Sequence, residues 1–246
     1  MALKEELEKQ GNWLFRYRSY IPIGILIIAL SVLVYENKKN NKPIYCSSTY
    51  EIICLSVGII GLGIRVYTVG YTPKNTSGRN THEGQVADTL NKTGIYSTVR
   101  HPLYLGNFLM WLGPALLTGN IWFVMAFILF YWIYYERIMF AEEQFLERKF
   151  GEAYTKWAAS VPAFIPDLSK FTRPEVSFSI KKVLKKEKNG LFALFLIFGV
   201  FDFIGEWLNN HAHFNILIIA GTVITMLMYV ILKFIKSRTG LLNENR

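Results

Sequence analysis

The chain has 246 residues, of which 52% are hydrophobic and 18% charged, and its formal net charge is +9. With a mean hydropathy of +0.24, that balance is too apolar for an ordinary soluble domain and points to an integral membrane protein. No basic, aromatic-interleaved soluble domain is present to bind nucleic acid, so the positive excess reads as a membrane signal and an attraction to anionic lipid headgroups.

Residues 3–19 set Leu3, Leu7, Trp13, Leu14 and Tyr17 among charges, the pattern of an interfacial helix leading into a first span. The mixed charges of Lys4-Glu5-Glu6 do not suit a cleavable signal peptide. Apolar segments then recur at 20–35, 52–69, 103–118, 121–135, 191–208 and 214–232. A bilayer core takes about 20 residues of helix, so the shorter segments must tilt or borrow flanking residues. The expected fold is all-α, an integral membrane protein with about six transmembrane helices.

Basic residues give the expected orientation. Of the 27 Lys and Arg, 22 fall in 1–20, 71–100, 141–190 and 233–246, whereas Lys38, Lys39 and Lys42 are alone on the other side. The positive-inside rule therefore makes both termini and the two long loops cytoplasmic. A bacterial inner membrane is the expected location.

Arg65 lies about one and a half turns inside the second segment, where snorkelling is the expected behaviour. The polar, glycine-bearing loop 71–93 is long enough to form a lid or the wall of a site. Directly after it comes Gly94-Ile95-Tyr96-Ser97-Thr98-Val99-Arg100-His101-Pro102-Leu103-Tyr104-Leu105-Gly106. Pro102 lacks an N–H and has a fixed φ, which suits the first turn of a helix. Arg100 and His101 are thereby expected at the mouth of the third span, with Tyr104 one turn inside.

Thr118-Gly119-Asn120 is so short a link that spans three and four must form an antiparallel hairpin. Span four continues through Glu136 to Phe150, which returns Glu142 and Glu143 to the surface that holds Arg100 and His101. Residues 167–190 set Ile180, Val183 and Leu184 against Lys181, Lys182, Lys185, Lys186 and Lys188, a basic amphipathic helix expected to lie on the membrane. In the last hairpin Asp202 and Glu206 share a helix face. His211 and His213 have no evident third ligand, and Cys46 and Cys54 match no metal spacing, so no metal site is expected.

The ordered set Y-x3-RHP-x-Y-x-G (Tyr96 to Gly106), Glu142-Glu143, Gly151-x-x-Tyr154 and Val161-Pro162-x-Phe164-x-Pro166 resembles the integral-membrane methyltransferases. These are the isoprenylcysteine carboxyl methyltransferases and their phospholipid methyltransferase relatives. The resemblance covers roughly residues 50–167. It divides the chain into 1–50 (interfacial helix and first span), 51–167 (methyltransferase core) and 168–246 (basic helix and an appended transmembrane hairpin). Such enzymes use S-adenosyl-L-methionine without a soluble nucleotide-binding domain; accordingly, no G-x-G-x-x-G follows a strand here.

The resemblance implies a cofactor site lined by Tyr96, His101 and Tyr104, by Thr89 and Leu90, and by one glutamate matching Glu142. The chemistry of these residue types agrees. Glu142 or Glu143 suits the cofactor's ammonium, Arg100, His101 and a helix N-terminus suit its carboxylate, and tyrosine faces suit the adenine and the sulfonium. One position departs. Carboxyl methyltransferases of the family carry a substrate-facing arginine where this chain has Ile138, and Arg137 is about 100° away around the helix. Arg100 and Arg137 are the candidates for acting on the acceptor.

The expected acceptor is a lipid or lipid-attached group. An anionic phosphate or carboxylate needs no general base, whereas an amine must first lose a proton. O-methylation of an anionic group is therefore the leading expectation. The alternatives are N-methylation of an aminophospholipid, prenylcysteine carboxyl methylation, and an NADPH-dependent membrane reductase.

Overall fold

The computed structural model describes residues 2–40, 48–73, 76, 79–81, 84–208 and 214–243. They form eight helices: α1 (Leu3–Tyr17), α2 (Ile21–Asn40), α3 (Ser48–Gly70), α4 (Pro102–Leu117), α5 (Ile121–Phe150), α6 (Glu152–Ser160), α7 (Ile180–Leu208) and α8 (Ile216–Arg238). Cys46, His211 and His213 lie outside the described residues. Cys54 is a free, buried cysteine in α3.

Six apolar helices occupy the expected segments. Five of them, α2, α3, α5, α7 and α8, are long and apolar enough to cross a membrane. The sixth, α4, has 16 residues and rises about 24 Å, short of a bilayer core of about 30 Å. The long helices leave broad apolar faces outward, as α8 does with Ile216, Leu217, Val223, Ile224, Leu227 and Ile231. This is the surface that a hydrocarbon solvent requires.

Successive long helices reverse direction, which gathers α1, the described part of 71–101 and residues 151–179 at one end of the bundle. The tight turn between α4 and α5 is capped by Asn120, whose side chain accepts from the Phe123 N–H at 2.8 Å. At the opposite end, Asn215 caps α8 and donates to Glu51 Oε2 at 2.7 Å, while its N–H donates to Asp202 Oδ2 at 3.2 Å. Asp202 is thus a buried carboxylate tying α7 to α8 and, through Asn215, to α3.

Close approach of α3 to α4 sets the geometry of the site end. A Cβ on Gly106 would lie 2.6 Å from Arg65 Cγ and 2.8 Å from the Gly61 carbonyl, and one on Gly61 would lie 2.5 Å from the Gly106 carbonyl. Only paired glycines allow backbones this near. The last glycine of the Tyr96–Gly106 motif is therefore a packing residue, and it brings Arg65 across α4.

The structure adds three features to the sequence reading. Loop 71–93 contains a small antiparallel hairpin, β1 (Arg79–Thr81) and β2 (Gly84–Val86), paired Arg79 to Val86. The basic stretch from Ile180 runs unbroken into the fifth apolar segment, making one 29-residue helix instead of a separate surface helix. Finally, α1 packs along the last turns of α5. A Cβ on Gly11 would fall 2.0 Å from the Arg137 carbonyl oxygen, Phe15 is buried in the α4–α5 aromatic core, and Arg148 pairs with Glu8 at 2.6 Å.

Candidate active site

The Arg100-His101-Pro102 junction is built by a strap of chain that follows α6. Pro102 starts α4 at its first position, and the N–H groups just before it need acceptors outside the helix. The carbonyl of Pro162 takes the Arg100 N–H at 2.9 Å, and that of Ala163 takes the His101 N–H at 3.2 Å. The Asp167 N–H in turn donates to the Thr98 carbonyl at 2.9 Å. Phe164 anchors the strap edge-on against Trp132 and Phe108, with centroids 5.6 and 6.1 Å apart. This explains why the Val161–Pro166 motif accompanies the Arg100–Tyr104 motif: one supplies the other's backbone acceptors.

Beside the junction, α5 presents its two glutamates. Tyr104 Oη donates to Glu142 Oε2 at 2.8 Å. His101, almost fully buried, bonds through Nε2 to Glu143 Oε1 at 2.9 Å. An ionised carboxylate only accepts, so the ring carries a proton on Nε2. Nδ1 of the same ring lies 3.7 Å from Glu142 Oε2, and the Tyr104 ring stacks on it at 5.6 Å. Arg100 Nε stands 3.4 Å from Glu143 Oε1. Glu142 is thus aimed by a phenol, and Glu143 holds the Arg100-His101 pair.

These groups open onto a cavity of about 340 Å³ lined by Tyr96, Arg100, His101, Tyr104 and Glu142 from the motif region, with Arg18, Arg65, Asn107 and Lys186 added from elsewhere. Its size is that of a small-molecule site. Burial, with the Glu142 carboxylate adding to it, pushes the Tyr96 phenol well above its ordinary pKa. Burial and then Glu143 do the same for Tyr154. Both are neutral donors at neutral pH.

Of the sequence-identified residues, the structure brings Tyr96, Arg100, His101, Tyr104 and Glu142 to one cavity, with Glu143 directly behind it. Thr89 is exposed and Leu90 half-buried, and neither is among the lining residues. Arg137 is also outside the lining; its guanidinium pairs with Glu136 at 3.2 Å, beside α1. Ile138 is fully buried in the aromatic core.

Arg65 differs from its expected snorkelling. It turns inward and meets Glu187 of α7 through two bonds of 2.8 Å, and Asn107 of α4 through Nη1. Arg18, Asn107 and Lys186 were missed for the same reason: none stands in a motif. The available signal was their polarity close to helix ends that the topology brings together.

Comparison with known proteins bears directly on this arrangement. The phospholipid methyltransferase family profile matches residues 52–153. Protein-S-isoprenylcysteine O-methyltransferase A of Arabidopsis thaliana is 30% identical over 148 residues, covering 57% of this chain and 72% of that protein. The chain belongs to the isoprenylcysteine carboxyl methyltransferase and phospholipid methyltransferase family. Members of this membrane methyltransferase family use S-adenosylmethionine as methyl donor.

Two further relatives show its breadth. Protein-S-isoprenylcysteine O-methyltransferase of Schizosaccharomyces pombe is 38% identical over 73 residues, 30% of this chain and 31% of that enzyme; the match thus spans about a third of that relative. Nickel-cobalt-cadmium resistance protein NccN of Alcaligenes xylosoxydans xylosoxydans is 35% identical over 162 residues, 65% of this chain and 70% of that protein. No solved structure matches. Within the family profile lie Arg65, the whole Tyr96–Gly106 motif and Glu142-Glu143; Arg18, the Pro162–Pro166 strap and α7 lie outside it.

The donor set fits the family's cofactor. One wall offers a carboxylate, Glu142, held by the Tyr104 hydroxyl, for an ammonium group. Arg100 and the start of α4 suit a carboxylate. Tyr96 and Tyr104 offer ring faces to an adenine or a sulfonium.

Proposed function

We propose that this protein is an S-adenosylmethionine-dependent methyltransferase that methylates the anionic oxygen of a lipid or lipid-attached acceptor at the cytoplasmic face of a bacterial inner membrane. The observation that carries the reading is the meeting of Glu142, Tyr104, His101 and Tyr96 around one cavity at the basic end of the bundle. The orientation rests on the sequence, in which 22 of the 27 basic residues fall in the segments on one side of the spans.

S-adenosylmethionine supplies a methyl on a sulfonium: a bond to the acceptor oxygen forms as the methyl–sulfur bond breaks, and its electron pair stays on sulfur. The protein's task is alignment. Glu142, fixed by Tyr104, holds the ammonium end, and Tyr96 and Tyr104 pack against the flat and cationic parts. Arg100, with Nε beside Glu143, keeps its guanidinium at the cavity and steadies the acceptor's negative charge. An already ionised acceptor needs no proton removed, so His101 serves as a fixed post between Glu142 and Glu143 and not as a general base.

The test is direct. Purified protein in neutral detergent is titrated with S-adenosylmethionine and with NADPH by calorimetry, and then incubated with methyl-labelled S-adenosylmethionine and a total lipid extract. Binding of S-adenosylmethionine and label in the lipid fraction are expected. Binding of NADPH without S-adenosylmethionine would make the protein a reductase and overturn the reading.

A further inference from the structure

Two polar residues of the cavity wall come from within apolar helices. Arg65 lies in α3. Asn107 lies in α4, three residues beyond Tyr104 and so about 4.5 Å further from the mouth. Both line the cavity. Polar and charged groups at such depth are costly, and a functional role is the first reading of them.

Their hydrogen bonds fix how they face the cavity. Glu187 accepts from Nε and Nη2 of Arg65, and Asn107 Oδ1 accepts from Nη1. Those bonds use three of the five N–H groups of a guanidinium, and two are left. The Arg65 side chain is about one-fifth exposed. The same contact orients the Asn107 amide. With its oxygen on Arg65, its nitrogen faces α5 and donates to Tyr135 Oη at 3.4 Å. One amide hydrogen remains. Tyr135 is held in its turn, stacked at 4.2 Å on Tyr131, whose hydroxyl donates to the Tyr104 carbonyl at 2.8 Å. A polar chain thus runs from Glu187 of α7 through Arg65 of α3 and Asn107 of α4 to Tyr135 of α5.

The chemistry that this chain turns to the cavity is one-sided. The charges of Arg65 and Glu187 cancel as a pair, so the wall offers aimed N–H donors and no net charge. The acceptors are already engaged: Asn107 Oδ1 and both Glu187 oxygens receive bonds from Arg65. An ammonium group would have to compete with the guanidinium for them. An oxygen lone pair meets donors at once. A tie serving only to hold helices together needs no opening to the cavity, yet Arg65 and Asn107 both line it.

We propose that Arg65 and Asn107 form the acceptor subsite, donating hydrogen bonds to the oxygens of a carboxylate or phosphate on the lipid or lipid-attached acceptor. Tyr135 and Glu187 are positioning residues that aim these donors. The inference rests on the methyltransferase reading above and narrows it, because such a subsite selects an oxyanion against an amine.

The experiment uses the full chain in a neutral detergent, with S-adenosylhomocysteine present so that no methyl is transferred. Dodecanoate, dodecyl phosphate and dodecylamine are titrated in turn by calorimetry. At least one oxyanion is expected to bind tenfold or more tightly than the amine, and the tighter of the two tells carboxylate from phosphate. Asn107→Asp keeps an oxygen for Arg65 but replaces the amide donor with an acceptor. It should weaken the preferred oxyanion by about tenfold or more and strengthen the amine, while S-adenosylmethionine still binds. Arg65→Lys keeps a charge beside Glu187 but loses the planar fork, and should weaken the oxyanion to a similar extent. Lys181→Gln, at an exposed position of α7, should leave all three probes unchanged. Each variant is compared with the wild type on the same probe, so partition into micelles cancels.

An amine that binds the wild type as tightly as the better oxyanion would overturn the proposal. So would an unchanged oxyanion affinity in either Asn107→Asp or Arg65→Lys, which would reduce the polar chain to a tie between helices. Equal weakening by Lys181→Gln would also overturn it, by reducing the effect to general charge. Should Asn107→Asp no longer bind S-adenosylmethionine, Arg65→Lys and the wild-type preference decide. Failure of the wild type itself to bind S-adenosylmethionine would instead defeat the methyltransferase reading, so the two failures are distinguishable.

Discussion

Arg65 and Glu187, 122 positions apart, meet through two parallel bonds of 2.8 Å, Nε to Oε2 and Nη2 to Oε1. The glutamate is almost fully buried and the arginine about one-fifth exposed. Such a pair links the family core to the helix appended after it. Breaking one half leaves the other charge without its partner, which costs more than the intact pair contributes. Glu187→Leu is expected to destabilise the protein by about 2–4 kcal/mol, and Arg65→Met together with Glu187→Leu by less than the sum of the singles. Thermal unfolding of the four proteins of the cycle in detergent measures the coupling; strictly additive losses would mean that the pair carries no energy of its own.

Glu142 and Glu143 separate in position although adjacent in sequence. Glu142 lines the cavity, whereas Glu143 binds His101 and stands by Arg100 from behind. Glu142→Gln should weaken S-adenosylmethionine binding by about 1.5–3 kcal/mol through loss of a charge-assisted bond. Glu143→Gln should act less on binding and more on turnover, because the Arg100-His101 pair loosens. Calorimetry set beside single-turnover methyl transfer separates the two; equal cofactor affinity in wild type and Glu142→Gln would remove Glu142 from the site.

Tyr104 tests the orientation of Glu142. Tyr104→Phe keeps the ring stacked on His101 but removes the donor to Glu142 at 2.8 Å. A loss of about 1 kcal/mol in cofactor affinity is expected, close to the net value of one hydrogen bond. Glu142→Gln combined with Tyr104→Phe should then be little worse than Glu142→Gln alone. Independent, additive effects would show that the phenol acts on something other than the carboxylate.

Gly106 carries the α3–α4 contact. Gly106→Val would drive its side chain into Arg65 Cγ and the Gly61 carbonyl. The expected cost is about 1–3 kcal/mol for overpacking, with a larger fall in methyl transfer because Arg65 is displaced. Gly63→Val on the same helix as Gly61 meets nothing within 4 Å and should be tolerated. Thermal unfolding and activity of the two variants give the comparison, and equal sensitivity would contradict the packing role.

Orientation is open to chemical labelling. Cysteines placed at Asp88 and Lys181, in a Cys46→Ser background, should be shielded from an impermeant thiol reagent in intact cells, and one at Lys39 should react. Labelling at Asp88 would put the cavity on the outer face and remove the cytoplasmic assignment.

Much of the site could be read from the chain because it is written in local geometry. Pro102 at the first position of α4, the three-residue turn before α5, and the unbroken helix from Ile121 to Phe150 each follow from dihedral limits and periodicity. Together they force Glu142 back beside His101 and Tyr104. What the sequence does not contain is how each helix is rotated about its axis. That is decided by contacts such as Gly61 against Gly106, which turn Arg65 inward to Glu187 when length and hydropathy alone send it to the interface. The same holds for the strap, where Pro162 and Ala163 serve Arg100 and His101 as backbone acceptors. Arg18 and Lys186 likewise join the cavity only because α1 docks on α5 and α7 continues past the membrane segment. Periodicity in one segment fixes that segment's faces, but which faces meet is a property of the whole packed bundle.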